Sequence, residues 1–184
     1  MKVNEIIQAA AELIGDNVAE EVKAYIEEGS GEAALPKELL RCFNVVEHEL
    51  AVDFLPLKTE EQMETDTGAI AYETLSKKAV QIVKVLDEWG MAVRYDTYGS
   101  YFKTRVGKVT VVYTYEPEEK AFGEESDFQR VASKRLFAYG IAAEYCLKAG
   151  LYDEASVWDK KYKEAIEAAY KQSPGKNIRR RLWL

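Results

Sequence analysis

Tyr101-Phe102-Lys103-Thr104-Arg105-Val106 runs through Gly107-Lys108 into Val109-Thr110-Val111-Val112-Tyr113-Thr114-Tyr115, so two strand patterns stand back to back. In the first, Phe102, Thr104 and Val106 alternate with Tyr101, Lys103 and Arg105, the period of two that sends successive side chains to opposite faces of a sheet. Val106-Gly107-Lys108 reads as a tight turn joining the first strand to the second. Upstream, Met91, Val93 and Tyr95 mark another strand, which turns at Tyr98-Gly99-Ser100. Residues 77–89 fit either a helix or a strand, and the β-branched content of Ala79-Val80-Gln81-Ile82-Val83-Lys84-Val85-Leu86 favours strand. An antiparallel β insert is therefore expected over about 69–115, closed by an acidic loop of Glu116, Glu118, Glu119, Glu124, Glu125 and Asp127.

On both sides of the insert the period becomes helical. Val3, Ile6, Ile7, Ala10, Leu13 and Ile14 lie on one helical face, and Gly15 ends the run, which predicts a helix over 3–14. Asp16 and Asn17 can cap a second helix over 17–28, with Val18, Val22, Tyr25 and Ile26 as its apolar stripe. Pro36 suits the first turn of a third, over 36–53, in which Leu39, Phe43, Val46 and Leu50 keep the helical spacing. Downstream, Leu136, Phe137, Ile141, Tyr145 and Leu147 belong to a helix expected over 128–149. Leu151, Ala155, Trp158, Tyr162, Ala165, Ile166 and Ala169 line one face of a helix over 152–171, suited to antiparallel packing on its predecessor. Ser173-Pro174-Gly175 stops that helix and leaves an arm over 173–184. The fold class is α+β: a mainly helical bundle over 1–172 with an inserted antiparallel sheet region and an extended C-terminal arm.

A chain of 184 residues suits one domain with an appended arm, and 47% hydrophobic with 11% aromatic residues is enough for a packed core. Two cysteines, Cys42 and Cys146, make neither a disulfide framework nor a CxxC site, and both fall on helices as small buried hydrophobes. Met1-Lys2-Val3-Asn4-Glu5 enters the first helix without a signal-peptide apolar run, and no apolar stretch is long enough to cross a membrane, so folding in a reducing cytoplasm is expected. The net charge of −7 is uneven. From Lys171 onward there are five basic residues and no acid, leaving 20 basic against 32 acidic residues in the body, a balance of −12. An acidic body argues against general nucleic-acid binding, which needs Lys and Arg to neutralise phosphates.

Catalytic signatures are missing: there is no GxxxxGK[ST], GxGxxG, GxSxG or HExxH. The one histidine, His48, stands between Glu47 and Glu49 and reads as a solvated side chain. The acidic loop lacks the spacing of a calcium loop and reads as solvated and mobile. Glu60-Glu61 and Asp87-Glu88 read as surface acids. Neither a catalytic residue, a metal site nor a cofactor is expected. The arm is different, because Ile178, Arg179, Arg180, Arg181, Leu182, Trp183 and Leu184 combine the residue types most enriched at binding hot spots. Extended, its twelve residues would reach roughly 40 Å.

Residues 128–172 carry a resemblance: Asp127-Phe128 before a helix, Leu136-Phe137-Ala138-Tyr139-Gly140-Ile141-Ala142-Ala143-Glu144-Tyr145, the turn Gly150-Leu151-Tyr152-Asp153-Glu154-Ala155, and Trp158-Asp159-Lys160-Lys161-Tyr162. With three helices before a strand insert between Phe54 and Pro117 that includes Arg94-Tyr95-Asp96, the layout resembles the head–tail connector (adaptor, or head-completion) proteins of tailed bacteriophages and prophages. The resemblance covers nearly the whole chain, although its strand region is long for the smallest members. It implies a virion neck protein, present in the host cytoplasm before assembly, that forms a ring of about twelve identical subunits beneath the portal. It further implies side-by-side helical bodies, an insert facing a tail-side neck or tail protein, and a C-terminal tail reaching into the portal. DNA would pass through the channel without specific binding, repelled by an acidic wall, and no membrane is involved. The alternatives are another phage or bacterial assembly protein, such as a tail-completion or capsid accessory factor, and a small enzyme built around His48 or the acidic loop.

Overall fold

Helix-forming periodicity at both ends of the chain and strand-forming periodicity in the middle give five α-helices and seven strands among the described residues of a computed structural model. The structure describes residues 1–29, 31–105, 107–129 and 132–172. Two compact units form: Met1–Phe43 with the described residues from Ala121 onward, and Asn44–Lys120. The α+β class read from the sequence holds.

In the first unit α1 (Val3–Ile14), α2 (Asp16–Lys23), the start of α3 (Ala34–Glu49), α4 (Lys134–Lys148) and α5 (Tyr152–Gln172) supply the core. A π-helical turn, Ala24–Glu28, extends α2 and ends at Gly29. Val3, Ile6, Ile7, Ala10 and Ala11 form the buried stripe of α1. α4 is the central element: every residue from Leu136 to Ala142 is buried, as expected of a helix apolar around its circumference. Phe137 stacks on Phe43 at 5.5 Å between ring centroids and meets Phe128 edge-on at 5.7 Å. α5 returns beside α4 as expected, burying Ala155, Tyr162 and Ile166.

The start of α4 differs from expectation. The helix begins at Lys134, not at 128, because Ser133 is its N-cap and the Ser133 hydroxyl accepts a hydrogen bond from the Leu136 amide at 3.2 Å. Phe128 is buried but lies outside the helix, so its apolar character reported burial and not helical phase.

The second unit contains the end of α3, a π-helical turn at Leu50–Phe54, and two antiparallel sheets. Strands β1 (Lys58–Glu64), β7 (Lys108–Tyr115), β3 (Ala79–Leu86) and β4 (Ala92–Val93) are adjacent in that order in one sheet. The other has the order β2 (Ala69–Ala71), β6 (Tyr101–Thr104) and β5 (Tyr95–Thr97). Ile70 and Phe102 from the smaller sheet share one core with Ile82, Val85, Val109, Val111 and Tyr113 from the larger. Residues 79–86 form a strand, as their β-branched content favoured.

Two expectations for the insert are corrected. It starts at Lys58, not at 69: β1 (Lys-Thr-Glu-Glu-Gln-Met-Glu) is an edge strand whose charges hide its period of two. Nor do the strands on either side of Gly107 form a hairpin. β6 pairs with β2 and β5, whereas β7 pairs with β1 and β3, so the chain changes sheets there. Gly107 accepts from the Thr65 amide at 2.7 Å, and Gly68 accepts from the Thr104 amide at 2.7 Å, which ties the crossover to the β1–β2 connection.

Gly68 has φ +75°, and a Cβ there would lie 2.3 Å from the Thr104 carbonyl oxygen. Both the conformation and the approach require glycine. Gly68→Ala is expected to destabilise the protein by about 2 kcal/mol in a urea titration, since backbone must move on both sides. A change below about 0.5 kcal/mol, the range of neutral surface substitutions, would contradict this.

Glu61, read from the sequence as a surface acid, is half-buried on β1. It accepts from the Ser76 amide at 3.1 and 3.2 Å, from the Ser76 hydroxyl and from the Tyr113 hydroxyl. Partial burial pushes its carboxyl up, but the Ser76 and Tyr113 hydrogen bonds outweigh that and hold it below the ordinary 4.5. Burial and the same carboxylate push Tyr113 up. A carboxylate whose folded value is depressed contributes stability above its unfolded value and loses it as pH falls through the folded one. Glu61→Gln is therefore expected to lower the urea midpoint at pH 7, with the difference from wild type shrinking well below pH 4.5. An equal difference at both pH values would show that the charge plays no part.

Candidate functional site

Ile178, Arg179, Arg180, Arg181, Leu182, Trp183 and Leu184, the arm residues singled out in the sequence, lie outside the described residues. Cys42 and Cys146 are buried thiols, as expected. Burial pushes Cys42 up to about 11 and raises Cys146 as well, which keeps both protonated and unreactive at neutral pH. His48 is exposed, with Nδ1 3.2 Å from Oε1 of Glu116, whose other oxygen meets the Lys78 ammonium. Glu47, the residue before His48, is buried, since successive side chains of a helix point about 100° apart.

The acidic loop is solvated as expected, with Glu118, Glu119, Glu124 and Glu125 exposed, but its backbone is tied by hydrogen bonds. In the second unit, Asn44 and Lys120 exchange two hydrogen bonds, of 3.1 and 2.8 Å. In the first unit, the N-terminal residues hold the rest of the segment. The Val3 amide donates to the Glu124 carbonyl at 2.9 Å, the Ser126 amide donates to Met1 at 2.9 Å, and Asn4 Oδ1 accepts from Gly123 at 2.8 Å. Backbone pairing with the chain's own start fixes the loop, which loop composition cannot report. Among the described residues no three His, Cys, Asp or Glu side chains gather as a metal site.

Among the described residues the most exposed large hydrophobic side chain, Trp89, sits on the β3–β4 hairpin tip, Asp87-Glu88-Trp89-Gly90-Met91. Trp89 is 81% exposed and Met91 67%. Asp87 holds them in place: its Oδ1 accepts from the Trp89 amide at 3.0 Å and the Met91 amide at 2.8 Å, while its amide donates to the Met91 carbonyl at 2.9 Å. Asp87 makes four hydrogen bonds here, the fourth accepted by its carbonyl from the Gly90 amide at 3.0 Å, and with Gly90 at φ +76° they make this tip a fixed turn. Exposing a Trp and a Met on an ordered turn leaves apolar surface in water, and such surface is characteristic of contact sites.

A second surface lies between α4 and α5 in the first unit. An open groove of about 420 Å³ is lined by Ser133, Arg135, Leu136, Tyr139, Lys161, Glu164 and Ala165. Tyr139, in the lining, stacks on Trp158, with centroids 5.8 Å apart and planes at 24°. The Arg135 guanidinium lies 5.2 Å from the Tyr139 ring centre and donates to the Tyr139 hydroxyl. Lys161 Nζ lies 4.3 Å from the Trp158 ring centre. Cations over aromatic faces are attracted by the ring quadrupole and keep their charge available to an incoming anion. Among the described residues neither Arg135 nor Lys161 is paired with a carboxylate. At the α4–α5 turn, Leu147, Leu151 and Tyr152 are exposed as well.

Reading the sequence alone passed over both surfaces. Asp87 followed by Gly90 was a turn signal, and Arg135/Tyr139 at i, i+4 with Trp158/Lys161 at i, i+3 placed cation and ring on shared helix faces. No family model matches the chain, and no curated protein matches it. No described helix is long and apolar enough to cross a membrane.

Proposed function

We propose that this chain is a structural neck protein of a tailed-bacteriophage or prophage virion, an adaptor joining the portal to the tail as a ring of identical subunits around the DNA channel. Its chemistry is contact between proteins and not catalysis. The observation that carries the reading is the fixed β3–β4 tip, which holds Trp89 and Met91 in solvent on hydrogen-bonded backbone. A folded body that spends stability on displaying apolar side chains is built for a partner. The resemblance of the element order to that of head–tail connectors supports the same reading, as does the polarised charge, −12 in the body against a basic C-terminal end.

In this reading Ile178, Arg179, Arg180, Arg181, Leu182, Trp183 and Leu184 dock on the portal, the β insert outside its β3–β4 tip meets the tail-side protein, and acidic subunits repel the passing DNA. Like charge also keeps isolated subunits apart until the portal supplies binding energy. The test is sedimentation of the purified protein with and without a portal ring. Slow-sedimenting protein alone, shifted into the portal fraction on mixing, is expected; a large stable ring without the portal, or no shift with it, opposes the reading.

A further inference from the structure

We infer that the β3–β4 tip of one subunit seats in the α4–α5 groove of the next copy of this chain. Ring formation is taken from the function proposed above; what is added is the pair of surfaces that meet. The tip offers an indole and a thioether beside the carboxylates of Asp87 and Glu88. The groove offers Ala165 and the edge of Tyr139 for the apolar part, with the half-buried Trp158 stacked on Tyr139, and Arg135 and Lys161 for the anion, against the single carboxylate of Glu164. The two surfaces therefore match in both polarity and sign of charge, in a chain whose overall charge of −7 disfavours unspecific self-association. The capped turn fixes Trp89 before contact, so little conformational freedom is lost on binding. Because the surfaces differ, the contact is head-to-tail and repeats from copy to copy, closing into a ring when the rotation permits. Charge-paired, rim-exposed contacts of this kind are weak singly and gain strength when the portal aligns many of them.

The experiment places photoreactive benzoylphenylalanine at position 89 of the full chain, irradiates it at high micromolar concentration, and maps the crosslinks by mass spectrometry. Mixing isotope-labelled with unlabelled chains separates links between copies from links within one. Links between copies, from position 89 to peptides of Lys134–Lys148 or Tyr152–Gln172, are expected. Glu88→Arg and Arg135→Glu should each reduce their yield about tenfold, and the double exchange should restore most of it. Both positions are exposed, so melting temperature should stay unchanged; Lys161→Glu serves if Arg135→Glu fails to fold. Links within one chain, links to other surfaces, or yields indifferent to both reversals would overturn the inference. The same crosslinker in a portal-bound assembly separates the two claims. Stacked rings with position 89 linked elsewhere would refute this contact alone, and links between copies without portal binding would refute the neck reading alone.

Discussion

Phe137→Ala is expected to lower stability by about 4 kcal/mol, the range measured when a fully buried aromatic ring is cut back to a methyl group. Phe137 has no exposed surface, and Phe43 and Phe128 pack against its ring from α3 and from the segment before α4. Deleting the ring removes the contact at which those elements meet, and the fixed helices around it cannot collapse to fill the space. For a chain of this size the loss corresponds to a fall in melting temperature on the order of 10 °C. Trp89→Ala is the control, because a side chain 81% exposed should change stability by no more than about 0.5 kcal/mol. Equal melting of the two variants would mean that the aromatic cluster is not the centre of the helical unit.

Deleting residues 176–184 is expected to abolish docking on the portal while leaving the melting temperature almost unchanged. The deleted segment holds three consecutive arginines, able to pair bidentately with carboxylates, and the apolar Leu182-Trp183-Leu184. Trp183→Ala alone should weaken docking by about 2 kcal/mol, the behaviour of an aromatic anchor. The arginine share should fall as salt rises, since exposed charge pairs are screened over about 10 Å at 0.1 M ionic strength. A truncated protein that melts several degrees lower and still docks would show instead that the arm belongs to its own core.

Where side-chain periodicity follows local burial, the fold was legible. α1 spans 3–14 as its apolar stripe and closing Gly15 require, and β-branched residues favoured strand for 79–86. What stayed hidden depends on partners far along the chain. β1 has Glu61 at an inward position, because Ser76 and Tyr113 hydrogen-bond the carboxylate that an apolar residue would ordinarily replace. The change of sheet at Gly107 depends on Thr65 and Gly68, and nothing in the turn itself reports them. The acidic segment is fixed by Val3 and Asn4, more than a hundred residues upstream. The candidate contact surfaces follow the same rule. The arm stood out by composition alone, whereas the tip needed the geometry of Asp87 and the groove needed α4 and α5 side by side.

The most direct measurement of the central claim is electron microscopy of the purified protein mixed with the portal ring. A second ring of identical subunits, stacked on one face of the portal and coaxial with its channel, is expected. Portal rings that remain bare at saturating protein, or that carry the protein as scattered single copies, would contradict it.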